Sequence, residues 1–184
     1  MANPTVRVGD VVPTGTFWYV PYTPETDDLA ACGVPTKIST DAWKGKKVVL
    51  ISVPGAFTPT CHANHLPPYI QKYDEFKAKG VDQIAVVTAN DAFVMSGWGK
   101  ALGFKDKSQL TETFPQILPL SDPTAAWTSQ LGLSVDLSKA NELGLGLRTS
   151  RFALILDDLK ITYLGVEPAR GVTVSGADAV LAAL

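Results

Sequence analysis

The chain has 184 residues, 46% of them hydrophobic and 18% charged, with a formal net charge of −2. That length suits one ordinary domain, residues 1–184, with a core of its own, and the composition excludes a disordered chain. The charge leaves no basic footprint for nucleic acid or an anionic membrane, and no apolar run approaches the ~20 residues that span a bilayer.

In chain order, Thr16–Val20 (TFWYV) is a short β-prone run. Lys47–Val53 (KVVLISV) is rich in β-branched residues and reads as a buried strand that stops at Pro54-Gly55. Leu66, Tyr69, Ile70, Tyr73 and Phe76 then recur at helical spacing, with Gly80 as the stop. Adjacent prolines, Pro67-Pro68, delete two N–H groups early in that helix, which predicts a kink there and a loosely held first turn.

Ile84–Thr88 is the next strand, and Asp91 caps a helix whose Met95, Trp98 and Leu102 share a face. Ile117–Leu120 is a short strand, followed by a helix from about Pro123 to Leu131 with proline near its first position. Residues 133–147, rich in Leu and Gly, carry no clear period. Phe152–Leu156, Asp157-Asp158 and Lys160–Val166 read as a β-hairpin, and Ala177–Leu184 as a last helix. A βαβ half followed by a hairpin and a helix predicts an α/β fold, one central mixed sheet flanked by helices, of which the thioredoxin-like fold is the simplest case.

Two cysteines, Cys32 and Cys61, are too few for a secreted disulfide framework. Met1–Val12 has no apolar leader region, and Ala182-Ala183-Leu184 is not the Ser-Lys-Leu address of a peroxisomal protein. The expected compartment is therefore cytoplasmic, where a cysteine is either core packing or a reactive thiol.

Cys61 ends the string Pro54-Gly55-Ala56-Phe57-Thr58-Pro59-Thr60-Cys61, between a strand's C-terminal end and a helix. Ligands bind at that edge of open α/β sheets, and the free N–H groups of a helix's first turn favour a thiolate. The Thr58 hydroxyl can accept one hydrogen bond and donate another to the sulfur or to a bound oxygen. Pro54 and Pro59 stiffen the loop and shield the thiolate from water.

Blander readings compete. A lone cysteine is commonly an inert core residue, and this applies to Cys32 more than to Cys61. Cys61, His62 and His65 suggest a zinc site, but two are adjacent and a fourth ligand is missing. A Cys-His hydrolase needs a base oriented by a third group, and neither histidine is convincingly placed; His65 is expected to pack or hydrogen-bond beneath the loop, and His62 to be solvated. Gly144-Leu145-Gly146 is half a dinucleotide fingerprint in the wrong context. Trp98, Trp127 and the Tyr69/Tyr73/Phe76 set read as core or interface.

Pro54-x-x-x-Thr58-x-x-Cys61 matches the peroxiredoxin active-site motif, and PGAFTPTC followed by His65-Leu66-Pro67 resembles the peroxiredoxin-5-like subfamily. Asn90-Asp91-Ala92-Phe93, Trp98-Gly99-Lys100, Ser121-Asp122-Pro123, Arg148-Thr149-Ser150-Arg151-Phe152, Ile161-Thr162-Tyr163 and Glu167-Pro168 extend the resemblance over roughly residues 5–184. It implies a thiol peroxidase without metal or organic cofactor, reducing hydrogen peroxide and alkyl hydroperoxides. Cys61 would be the peroxidatic cysteine, and Thr58 and Arg151 would hold peroxide and thiolate. The N–H groups of Thr60 and Cys61 would complete the pocket. Arg148 is either a supporting charge or a surface residue.

Cys32, in Ala31-Cys32-Gly33-Val34-Pro35, resembles the resolving cysteine of the fungal branch, which comes from the partner subunit. The resemblance thus implies a homodimer and a Cys61–Cys32 disulfide reduced by thioredoxin, or alternatively by glutaredoxin or glutathione. The animal pattern places its resolving cysteine where this chain has Thr173 and Val174. A redox relay that passes oxidation from Cys61 to a partner protein is the alternative function. If Cys32 is inert, a one-cysteine enzyme remains.

Overall fold

The apolar runs become a seven-stranded mixed sheet in a computed structural model that describes residues 3–104, 116–138 and 144–184. Strands β1 (Thr16–Tyr19), β2 (Thr36–Ser39), β3 (Lys47–Ser52), β4 (Gln83–Thr88), β5 (Ile117–Ser121), β8 (Phe152–Asp157) and β9 (Lys160–Val166) lie in the order β2-β1-β5-β4-β3-β8-β9. Strands β3, β4 and β5 are parallel, and the remaining pairings are antiparallel. Two strands at the two ends of the stretch that lacked a period, β6 (Ser134–Asp136) and β7 (Leu147–Thr149), pair separately; residues 139–143 of that stretch lie outside the described ones.

Burial on both faces explains why β3 reads as an unbroken apolar run. Its Val49 and Ile51 pack with Tyr69, Phe76 and Trp98 on one side of the sheet. Val48 and Leu50 pack with Phe17, Trp43 and Trp127 on the other. Helices α1 (Leu66–Gln71), α2 (Tyr73–Ala78), α3 (Ala92–Leu102) and α5 (Ala177–Ala182) contribute to the first layer, and α4 (Ala126–Gln130) to the second. Asp91 caps α3 as expected, accepting from the N–H groups of Phe93 and Val94.

Three local expectations are corrected. The helix after Cys61 is not interrupted at Pro67-Pro68, which lie inside α1. It opens as a π-helical turn, Thr60–His65, in which the Leu66 N–H reaches back five residues to the Cys61 carbonyl. The prolines fall in the first turn of α1, where missing donors matter least, and the wider π turn gives their rings room against the preceding carbonyls. The break comes later, at Lys72 (φ −101°, ψ 16°).

The helix expected from Pro123 is also shorter. Thr124 and Ala125 are left-handed (φ 58° and 52°), and α4 starts only at Ala126. Buried Asp122 overrides the local preference: its carboxylate accepts from the N–H groups of Trp127 and Thr128 and from the Thr128 hydroxyl. In the β8–β9 hairpin the turn is Asp158-Leu159, one residue later than expected, because Asp157 still pairs with Lys160. Both turn residues have positive φ (48° and 68°), the left-handed geometry a two-residue hairpin favours. Leu159 accepts the strain because its side chain is buried in the second layer.

The sheet register sets up the site. Ser52, the last residue of β3, pairs with Phe152, the first of β8. The loop leading to Cys61 therefore leaves the sheet beside Arg151, which is 90 residues away in sequence.

Candidate active site

The Cys61 thiol is 1% exposed, packed within the first core layer at the second residue of the π-helical turn. The first N–H groups of that turn, those of Thr60 and Cys61, precede its hydrogen-bond ladder, which begins with His62 N–H donating to Thr58 O at 2.9 Å. Arg151 donates from Nη2 to Cys61 Sγ at 3.2 Å and from Nη1 to His65 Nδ1 at 2.9 Å. The permanently charged fork therefore faces sulfur with one arm and is held by an imidazole with the other.

An arginine only donates, so His65 Nδ1 accepts and Nε2 carries the proton, which goes to the Ser175 carbonyl at 2.8 Å. Burial pushes the His65 pKa down to about 4, and the Arg151 charge acts in the same direction. The imidazole is thus a neutral strut at working pH. Both of its nitrogens are engaged away from sulfur, which removes it as the base of a Cys-His hydrolase and as a ready metal ligand.

The loop before Cys61 is braced from three directions. Thr58 Oγ1 donates to Gly55 O at 2.8 Å, closing the loop on itself and leaving its lone pairs open. The Ala56 N–H donates to Asn90 Oδ1 at 3.0 Å, and the same oxygen accepts from Thr88 Oγ1 and Arg148 Nη1. Thr149 Oγ1 donates to Val53 O, fastening the end of β3 to the segment before β8. Phe57 has a positive φ (60°), and its exposed ring stacks on His62. Such strain persists only where surroundings over-determine the backbone, as these bonds do here.

His62 is not simply solvated: its Nδ1 accepts from the indole N–H of buried Trp98 at 3.0 Å. Arg148 is a supporting charge rather than a free surface residue, held by Asn90 and the Leu145 carbonyl. Cys32 lies apart from this cluster, exposed, and both cysteines are free thiols. The loop carrying Cys32 is tied to α3, because Lys100 Nζ donates to the carbonyls of Asp28 and Ala31.

A buried thiol under a guanidinium, in a loop with first-turn N–H groups and an oriented threonine, is an arrangement able to stabilise negative charge on sulfur and on a departing oxygen. A family model described as Redoxin matches residues 7–181. The chain is 48% identical over 162 residues to a putative peroxiredoxin of Malassezia furfur, covering 88% of this chain and 90% of that one.

The chain is a peroxiredoxin.

It is accordingly a thiol-dependent peroxidase, an oxidoreductase that acts on peroxides at the expense of a thiol reductant. A putative peroxisomal peroxiredoxin of Lipomyces kononenkoae is 43% identical to this peroxiredoxin over 169 residues, covering 91% of this chain and 94% of that one. Reduced Prx3 from Vibrio vulnificus, solved in complex with hydrogen peroxide, shares the fold with a TM-score of 0.80 and 40% identity, covering 97% of this chain and 99% of that one. No described helix is long and apolar enough to cross a membrane.

Sequence reasoning foresaw Cys61 and Arg151 as neighbours only through the family motif, because nothing in local spacing relates residues so far apart. It did not foresee Ser175 as the partner of His65, or Asn90 as the anchor of the loop. Asn90 had a signal, lying in the string Asn90-Asp91-Ala92-Phe93; Ser175 had none.

Proposed function

We propose that Cys61 is the atom-accepting centre of the peroxidase and that Thr58, Thr60 and Arg151 hold the peroxide against it. The observation that carries this reading is the 3.2 Å contact from Arg151 Nη2 to Cys61 Sγ inside a buried site. The Cys61 thiolate attacks one oxygen of a hydroperoxide. An S–O bond forms as the O–O bond breaks, and the electron pair leaves on the distal oxygen, which departs as water or an alcohol with the substrate's own proton. Cys61 becomes a sulfenate, which takes a proton from solvent to give the sulfenic acid. Arg151 neutralises the thiolate and the charge on the leaving oxygen. Thr58, with its proton committed to Gly55 O, offers a lone pair to the peroxide O–H. Pro54 fixes where the loop departs from β3.

Recycling follows through Cys32. The Cys32 thiol attacks the sulfenic sulfur, a Cys61–Cys32 disulfide forms, and water leaves. Cys61 is buried and Cys32 is exposed, so the π-helical turn must unwind for the two to meet. The exposed rings of Phe57, next to Ala56, and Phe93, three residues past Asn90, support a homodimer, and the fungal-type position of Cys32 supports a partner subunit as its source. Thioredoxin then reduces the disulfide, and the cytoplasm is the proposed site of action.

The experiment follows peroxide consumption with a thioredoxin system for the wild type, Cys61→Ser and Cys32→Ser, with a non-reducing gel of each. Loss of turnover in both variants, and a disulfide dimer in the wild type alone, supports the two-cysteine cycle. Sustained turnover by Cys32→Ser, or turnover only with glutaredoxin and glutathione, overturns the recycling scheme. Consumption of a single equivalent, with oxidation passed to a partner through a mixed disulfide, would instead identify a relay.

A further inference from the structure

Glu167, sixteen residues past Arg151, takes no part in the chemistry above, yet its carboxylate is fully occupied. Oε1 accepts from the N–H groups of Thr173 and Ser175 and from the Ser175 hydroxyl, at 2.6, 2.8 and 2.7 Å. Oε2 accepts from the Thr173 hydroxyl at 2.6 Å. Burial alone would raise this carboxyl, but the hydrogen bonds from Thr173 and Ser175 outweigh it and hold the group below its ordinary range. Its own N–H donates to the Arg151 carbonyl at 3.0 Å, so the clamp is mounted on the strand beside Arg151.

What Glu167 clamps is the turn that supports His65. The Ser175 carbonyl accepts from His65 Nε2 and from the Tyr69 hydroxyl at 2.7 Å, and Ser175 Oγ stands 3.2 Å from the same Nε2. Ser175, His65 and Tyr69 are all 0% exposed. Water therefore cannot replace a lost partner, and the imidazole has one available orientation. A continuous line of hydrogen bonds runs from Glu167 through Ser175 and His65 to Arg151 and ends on the Cys61 sulfur.

We infer that Glu167 is a positioning residue for peroxide reduction, acting through Ser175 and His65 to hold the Arg151 guanidinium against Cys61. The inference rests on the reading of Cys61 as the peroxide-reactive thiol. A displacement of the guanidinium by about 1 Å is enough to cost up to about a hundredfold in rate. Glu167→Ala removes all four acceptor contacts. Glu167→Gln keeps an oxygen in the Oε1 position, where three of the four donors converge.

The test measures the second-order rate constant for hydrogen peroxide by stopped-flow fluorescence in full-length protein. The expected loss is about tenfold for Glu167→Ala, with Glu167→Gln within about threefold of the wild type. The same pair is then placed in an Arg151→Met background. If Glu167 acts through Arg151, Glu167→Ala costs nothing further there, within about twofold. A tenfold loss in both backgrounds would mean a general structural role and would overturn the inference, as would an unchanged rate for Glu167→Ala. Should Glu167→Ala fail to fold, Ser175→Ala takes its place. It removes the hydroxyl shared by Glu167 and His65 but keeps the carbonyl, and it is expected to lose about threefold, again only when Arg151 is present. Absence of a peroxide reaction in the wild type would refute the Cys61 reading itself, a distinct result.

Discussion

Replacing Arg151 by methionine removes the donor to the Cys61 sulfur while keeping much of the side chain's bulk. In the structure this donor is a permanent charge 3.2 Å from sulfur, preorganised by a second bond of 2.9 Å to a neutral, buried imidazole. Removing one preorganised donor from a site of developing negative charge costs about 10²–10³ in rate, or about 3–4 kcal/mol. The upper end applies here, because the donor carries full charge and acts on both thiolate and leaving oxygen. Lysine restores charge but not the fork. One ammonium cannot occupy both the sulfur and the His65 positions, so Arg151→Lys is expected to recover only about tenfold of that loss. Stopped-flow reaction of reduced enzyme with hydrogen peroxide, read by intrinsic fluorescence, gives the rate constant directly. Thermal unfolding of the same samples separates misfolding from lost chemistry. A rate for Arg151→Met within about threefold of the wild type would refute the assignment of Arg151.

Other consequences follow from the same geometry. Cys32→Ser is expected to react with its first equivalent of peroxide at the wild-type rate and then to stall without a disulfide dimer, which stopped-flow and a non-reducing gel would register. Burial holds the His65 pKa down to about 4 in the folded chain, against the ordinary imidazole value of 6.5 in the unfolded one. Below pH ~6.5 the unfolded chain binds the extra proton, so the wild type should lose stability as pH falls, by about 3 kcal/mol at pH 4, with the loss levelling off below that. Urea unfolding at pH 7 and pH 4 should show this loss, and His65→Gln should show about 3 kcal/mol less of it. Asn90→Ala leaves the Ala56 N–H and the Thr88 hydroxyl without their shared acceptor, for an expected destabilisation of about 1–3 kcal/mol and a slower peroxide reaction.

Much of the fold was legible because its centre is regular. The β3 and β4 runs are apolar on both faces, the helix from Ala92 has its aspartate cap, and the β8–β9 hairpin shows two β-prone runs around a short turn. What escaped was set by tertiary contacts. No local preference puts Leu159 at positive φ or delays the start of α4 to Ala126; burial of one side chain and the buried Asp122 carboxylate do so. The π turn answers the two prolines in a way composition does not announce. The site divides similarly. Cys61, Thr58 and Arg151 were singled out through a motif, whereas the Ser175 carbonyl beneath His65 is backbone and carries no residue signature.

The most direct measurement treats reduced Cys32→Ser enzyme with one equivalent of hydrogen peroxide in the presence of dimedone and locates the adduct by peptide mass spectrometry. A stoichiometric adduct on Cys61, absent when Cys61→Ser is combined with Cys32→Ser, is the predicted result. Consumption of peroxide with no adduct on Cys61 would contradict the assignment of Cys61 as the reacting thiol.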